Sequence, residues 1–270
     1  MRAISQSTAR SLHLLSLAAC SLVLLSPPRV AAQEVELSRQ NVDSDAFHQA
    51  THFLPGALDA EADSSTTVVG TGWAGYDGAS KNPVANATAE AWVVPRLSLM
   101  AGFGSTTQPG DVRLRAQGGA RLRLLDQQRF GVNASVGFLY RQDRFAAEEG
   151  MLEWSALVSR RFGATLVLAN FVYAQDGEGD DHEGEVRVIG LHDVGRHVHV
   201  GLDGRLRKSL GSSDPHRAEH SNPILEFNTG PLFAYSIGGV AVMAEAGLSG
   251  QKVDRLQTGL LLMGGLAAAF

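Results

Sequence analysis

Val112-Arg113-Leu114-Arg115-Ala116-Gln117-Gly118-Gly119-Ala120-Arg121-Leu122-Arg123-Leu124 sorts by parity into two chemically different sets. Even positions are apolar or small, and odd positions carry four arginines, a glutamine and a glycine. Successive side chains of a β-strand point to opposite faces, so the pattern predicts one greasy face and one cationic face. No helix sorts the residues this way. The greasy face could meet the core of a soluble sandwich or hydrocarbon lipid, and the rest of the chain has to decide.

Composition narrows the choice. The chain has 270 residues, 30 glycines and only 7% aromatics, and its single cysteine is Cys20. Its mean hydropathy is −0.03, and no apolar run reaches the ~20 residues of a transmembrane helix. The N-terminus predicts a signal peptide over 1–32, with Arg2 and Arg10 ahead of an apolar run from Leu12 to Leu25 and a small-residue site at Val30-Ala31-Ala32. Leu17-Ala18-Ala19-Cys20 offers a rival lipoprotein box, but Ser21 to Leu25 continue the apolar run past the cysteine.

Cleavage after Ala32 would leave no cysteine, which excludes disulfides, thiolate metal sites and cysteine nucleophiles. It would also remove Arg2, Arg10 and Arg29, leaving 20 basic residues against 28 acidic ones, a net charge of −8. That charge disfavours nucleic acid as a partner. Residues 33–64 are polar and acidic without alternation, and predict a periplasmic segment or a plug for a lumen. His48 and His52 share a helical spacing but lack a third ligand.

From Ser65 on, segments of about ten residues alternate with turn signals. Strands are expected near Thr66–Tyr76, Asn86–Val94, Leu97–Gly104, Val112–Leu125, Gly131–Arg141 and Met151–Arg160. Six more follow near Ala164–Ala174, Glu185–Asp193, His197–Arg207, Pro223–Tyr235, Val240–Ser249 and Gln257–Phe270. Connections alternate between hairpin size, as at Pro95-Arg96, and longer polar loops such as Asp77–Ala85 and Lys208–Asn222. Aromatics cluster at strand ends: Phe130, Phe162, Phe233, Tyr235 and Phe270 by the short turns, and Trp73, Tyr76, Phe103, Tyr140, Phe171 and Tyr173 by the long loops.

These features resemble the outer-membrane β-barrel proteins of Gram-negative bacteria. A signal peptide, about twelve alternating strands and a last strand ending in Phe270 carry the resemblance. It implies an all-β fold, a closed antiparallel up-and-down transmembrane barrel over 65–270, with short periplasmic turns and longer extracellular loops. It also implies outer-membrane lipids and lipopolysaccharide as surroundings, and the barrel assembly machinery as the reader of Phe270.

Energy then orients the strands. An arginine facing lipid near the midplane costs about 2 to 4 kcal/mol, so four outward arginines would cost ~8 to 16 kcal/mol. The same test turns His197, His199, Asp203, Arg205, Arg207, Glu245, Glu90, Arg141, Glu153 and Glu226 inward. Ala164–Ala174 and Glu185–Asp193 are apolar on both parities, which leaves their orientation open. Arg113, Arg115, Arg121, Arg123, Arg205 and Arg207, with Glu90, Asp203 and Glu245, are therefore the candidate selectivity residues of a lumen.

Two functions are compatible with that lumen: a narrow passive channel for small anionic solutes, or a salt-bridged, non-conducting structural or surface-interaction barrel. A lipase-like enzyme would need Ser, His and Asn on the wall. Asn170, His192, His197 and His199 are available, yet no serine stands two residues from any of these histidines. Neither a cofactor nor a metal is expected. The acidic stretch Asp176–Glu183 lacks EF-hand spacing, and His216 and His220 read as loop residues.

Overall fold

The computed structural model describes residues 68–108, 111–142, 150–177, 181–212, 225–237, 239–252 and 254–269. The expected signal peptide, the segment 33–64, Phe270, His48, His52, His216 and His220 lie outside them.

Twelve strands form one closed antiparallel barrel. They are β1 (Val68–Asp77), β2 (Asn82–Val94), β3 (Leu97–Gln108), β4 (Asp111–Leu125), β5 (Asn133–Gln142) and β6 (Gly150–Phe162). The second half comprises β7 (Thr165–Asp176), β8 (Asp181–Asp193), β9 (Val198–Ser212), β10 (Leu225–Ile237), β11 (Val240–Lys252) and β12 (Leu256–Ala269). Each strand pairs with its sequence neighbours, and β1 pairs with β12 to close the ring, so no edge is left to recruit another chain.

Pairing register fixes what faces where. Gly104, Gly102, Met100 and Ser98 of β3 stand opposite Arg115, Gln117, Gly119 and Arg121 of β4, and Arg121 is buried, so the odd residues from Arg115 to Arg123 face the interior. Leu122 and Leu124 face outward and are exposed. The outer surface is a continuous apolar band that includes Leu99, Phe103, Val200, Leu202, Val242, Leu260, Leu262 and Leu266, far more than a soluble monomer exposes. Among the described strand residues, Lys and Arg reach that face only near strand ends: Arg160, Lys208 and Lys252. The guanidinium of Arg160 lies 4.6 Å from the Phe162 ring.

The two strands that periodicity left unoriented are resolved by their neighbours. Leu157 pairs with Asn170 and Asn170 with Arg187, which puts Leu166, Leu168, Asn170, Glu185, Arg187, Ile189 and Leu191 inside.

Three features differ from the sequence expectation. The connection expected as a plain turn from Asp126 to Phe130 holds a short helix, α1 (Gln127–Phe130), with Asp126 accepting from Gln128 N and Gly131 closing it at φ 78°. Gly131 is thus a helix cap, and β5 starts two residues later than expected.

Several expected long loops are largely strand. β2 begins at Asn82, and β3 and β4 run to Gln108 and from Asp111. Polarity at those positions signals water on both faces, and a backbone ladder forms there as readily as in the apolar zone.

Trp73, expected in an aromatic belt, faces inward and is buried. Its indole lies over Gly265 of β12, where an added Cβ would come within 2.6 Å of the ring.

Candidate functional site: a lumen in two halves

The connections β2–β3, β4–β5, β6–β7, β8–β9 and β10–β11, together with the first and last described residues, mark one end of the barrel. Many inward side chains near this end are apolar, above all those of β1, β7, β8 and β10–β12. Leu166 and Leu168 of β7, Ile189 and Leu191 of β8, Leu232 and Ala234 of β10, Ala241 and Met243 of β11, Ala267 of β12 and Trp73 of β1 form one buried cluster. Leu168, Ile189, Ala234 and Ala241 are 0% exposed. Residues lining an open aqueous pore would be wet, so this half of the lumen is filled.

One ion pair is set into the dry half. Arg121 of β4 donates from Nε to Glu90 of β2 at 2.9 Å and from Nη2 to its second oxygen at 2.8 Å. Ser98 of β3 also donates to Glu90, and the guanidinium lies 5.8 Å from the Trp92 ring. The bidentate fork satisfies a carboxylate that is 0% exposed.

At the rim of this end, Arg161 meets Asp193 at 3.2 Å. Gln127 of α1 clamps the Arg161 backbone in both directions, accepting at 2.8 Å and donating at 3.0 Å. Arg123 lies against Asp126 and Asn133 at 3.2 and 3.3 Å.

The other half is charged and partly wet. On the β8–β10 wall Arg205 meets Glu185 at 2.7 Å, while Arg207 bridges Glu183 and Glu226. Across the barrel Gln117 donates to Thr88 at 2.7 Å, and farther round Arg141 meets Glu153 at 2.9 Å. Arg205, Arg207 and Glu226 keep 27%, 28% and 29% side-chain exposure. Arg115 is half-buried in the same half. Arg113 pairs with Thr106 in the ladder, and its side chain lies outside the described set.

Between the halves runs a layer that holds Arg187, Asp203 and Glu245. Arg187 donates from Nε to Asp203 at 3.0 Å and again from Nη2, in a pair that is almost fully buried. Glu245 faces Leu232 and Met263 across the ladders.

The sequence turned His199 inward as a lumen residue paired with an acid but did not identify the constellation it joins. His199 of β9 contacts Asp193 of β8 through Nδ1 at 2.7 Å and Ser236 of β10 through Nε2 at 3.2 Å. Register brings these three together, and no spacing rule on a single strand could find them. The order resembles a charge relay, but Ser236 is 0% exposed and His199 1%, so the group is packed as a bracket across three strands.

Among the other candidates for wall catalysis, Asn170 is buried inside. His192 is exposed and shares a hydrogen bond with Thr165 at 2.9 Å. The His197 ring lies 6.0 Å from that of Tyr235 at the rim.

No family model and no curated protein matches the sequence. Solved structures do match in fold. An outer membrane channel from Pseudomonas putida F1 superimposes with a TM-score of 0.53 at 11% identity, covering 80% of this chain and 99% of that one. The NanC porin gives 0.52 at 11% identity, covering 74% of this chain and 98% of that one.

The closed antiparallel barrel is a fold this chain shares with that outer membrane channel and that porin. At this identity the likeness is one of architecture, and what the lumen does has to be argued from its own residues.

Proposed function

We propose that the protein is an outer-membrane channel of low conductance for small solutes, with a charged vestibule at its long-loop end and an apolar seal at its short-turn end. The separation of the lumen into a wet charged half and a dry half packed around one apolar cluster carries this reading. Hydrophobic constrictions gate by expelling water, and the Leu168–Ile189–Met243 layer is such a constriction. Lipid surrounds the apolar outer band, lipopolysaccharide meets the long-loop end, and Phe270 serves the assembly machinery.

Anion preference is a finer part of the proposal. It draws on the arginine ladder of β4 and β9, in which Arg121, Arg123, Arg205 and Arg207 meet Glu90, Asp126, Glu185, Glu183 and Glu226.

Planar-bilayer recording of the refolded chain tests both parts. Rare, small openings are expected from the wild type, with larger and more frequent ones from a Leu168→Ala/Ile189→Ala double variant. Silence from both would leave the second reading, a structural barrel, which the dryness of the short-turn half favours. A reversal potential unmoved by Arg115→Glu would sink the anion preference.

A further inference from the structure

We propose that the acidic segment 33–64 docks on a rim of arginines at the short-turn end of the barrel, so that the chain covers this mouth with its own N-terminal part.

The rim is built by several connections. Around the short-turn end stand Arg96 in the β2–β3 turn, Arg123 at the end of β4, Arg129 in α1, Arg161 at the end of β6 and Arg196 in the β8–β9 turn. Apart from Glu90, which is buried against Arg121, the acids described at this end are Asp126 and Asp193. Each lies 3.2 Å from one arginine, Asp126 from Arg123 and Asp193 from Arg161. Arg96, Arg129 and Arg196 are exposed, and among the described residues no ion pair engages these three. A mouth with this excess of one sign attracts an anionic partner.

The route of the chain supplies the occupant. β1 starts at Val68 on this same end, so the residues that precede it are tethered to the rim. Residues 33–64 hold seven acids and a single arginine, Arg39. Asp59, Glu61 and Asp63 fall within nine residues of Val68, and nine residues can extend over ~30 Å. Twelve tilted strands at their usual spacing close into a ring about 25 Å across, which puts every rim arginine within reach.

Surface ion pairs are weak one at a time. Tethering offsets this weakness, because a short link presents the carboxylates at an effective concentration of ~mM order. The acids stop at the mouth and go no deeper. Below it the lumen is closed by the apolar cluster around Leu168 and Ile189, and an unpaired charge does not enter a dry site.

Docking needs no conduction, so its test stands apart from the bilayer experiment. Spin labels are attached to Ala62→Cys and Gln128→Cys in the full chain with Cys20→Ser, folded in detergent, and the distance between them is measured. One narrow distance is expected at low salt, spreading into a broad distribution at ~1 M salt, where screening reaches down to about 3 Å. The salt comparison leaves every rim charge in place, so no variant's folding can spoil it. Reversing the rim with Arg96→Glu, Arg129→Glu and Arg196→Glu should broaden the distribution at low salt, and adding Asp59→Arg, Glu61→Arg and Asp63→Arg should narrow it again. A narrow distance that survives both high salt and rim reversal would overturn the proposal. A broad distribution in the labelled chain at low salt would overturn it as well, and would leave the arginines to anionic lipid headgroups.

Discussion

Two arginine–glutamate pairs in this barrel are alike in chemistry and opposite in surroundings. Arg121–Glu90 lies in the short-turn half at 3% and 0% side-chain exposure. Arg207–Glu226 lies in the vestibule at 28% and 29%. The first is held by a bidentate fork and a serine, because a dry site tolerates a charge only when every lone pair is matched. The second is a longer contact of 3.4 Å within a three-residue network, where water shares the work and the net benefit is small. The comparison teaches that an arginine counted from sequence says little about selectivity until its surroundings are known.

Breaking the dry pair should have the largest effect. Arg121→Leu strands the Glu90 carboxylate and is expected to cost about 3 to 5 kcal/mol, read from the urea midpoint in detergent. Adding Glu90→Leu should recover most of the loss. A single variant as stable as the wild type would mean the pair is wet.

The seal comes next. Leu168→Ala should cost about 2 to 5 kcal/mol by leaving a cavity, and bilayer current should rise with it. The Trp73–Gly265 contact is smaller: Gly265→Val is expected to cost ~1 to 3 kcal/mol as the indole is displaced, with a shifted tryptophan emission as its signature. Smallest is Arg207→Gln in the vestibule, expected at about 0.2 to 1 kcal/mol and reduced further by salt. An effect as large as that of Arg121→Leu would erase the distinction between the halves.

The barrel was legible because its signals are local. Alternation in Val112–Leu124, hairpin signals such as Pro95-Arg96 and the cost of lipid-facing charge need only a few neighbouring residues, and twelve strands follow from them. The lumen was less legible because its facts are relations between strands. Leu168 and Ile189 lie on strands apolar on both parities, where parity carries no information, and only the ladders to Leu157, Asn170 and Arg187 turn them inward. Trp73 was misread as an interfacial ring because the glycine that makes room for it is 192 positions away, at Gly265. The Asp193–His199–Ser236 bracket spans three strands and has no sequence signature.

Thiol accessibility tests the two-halved lumen most directly. In a Cys20→Ser background the chain has no other cysteine, so single cysteines can be placed at Gln117 and Asn228 in the vestibule, and at Leu168 and Ala234 in the seal. Refolded barrels are then exposed to a charged, membrane-impermeant thiol reagent. Rapid modification of Gln117→Cys and Asn228→Cys, with Leu168→Cys and Ala234→Cys protected, is the expected result. Comparable rates at all four positions would show a lumen wet from end to end and contradict the seal.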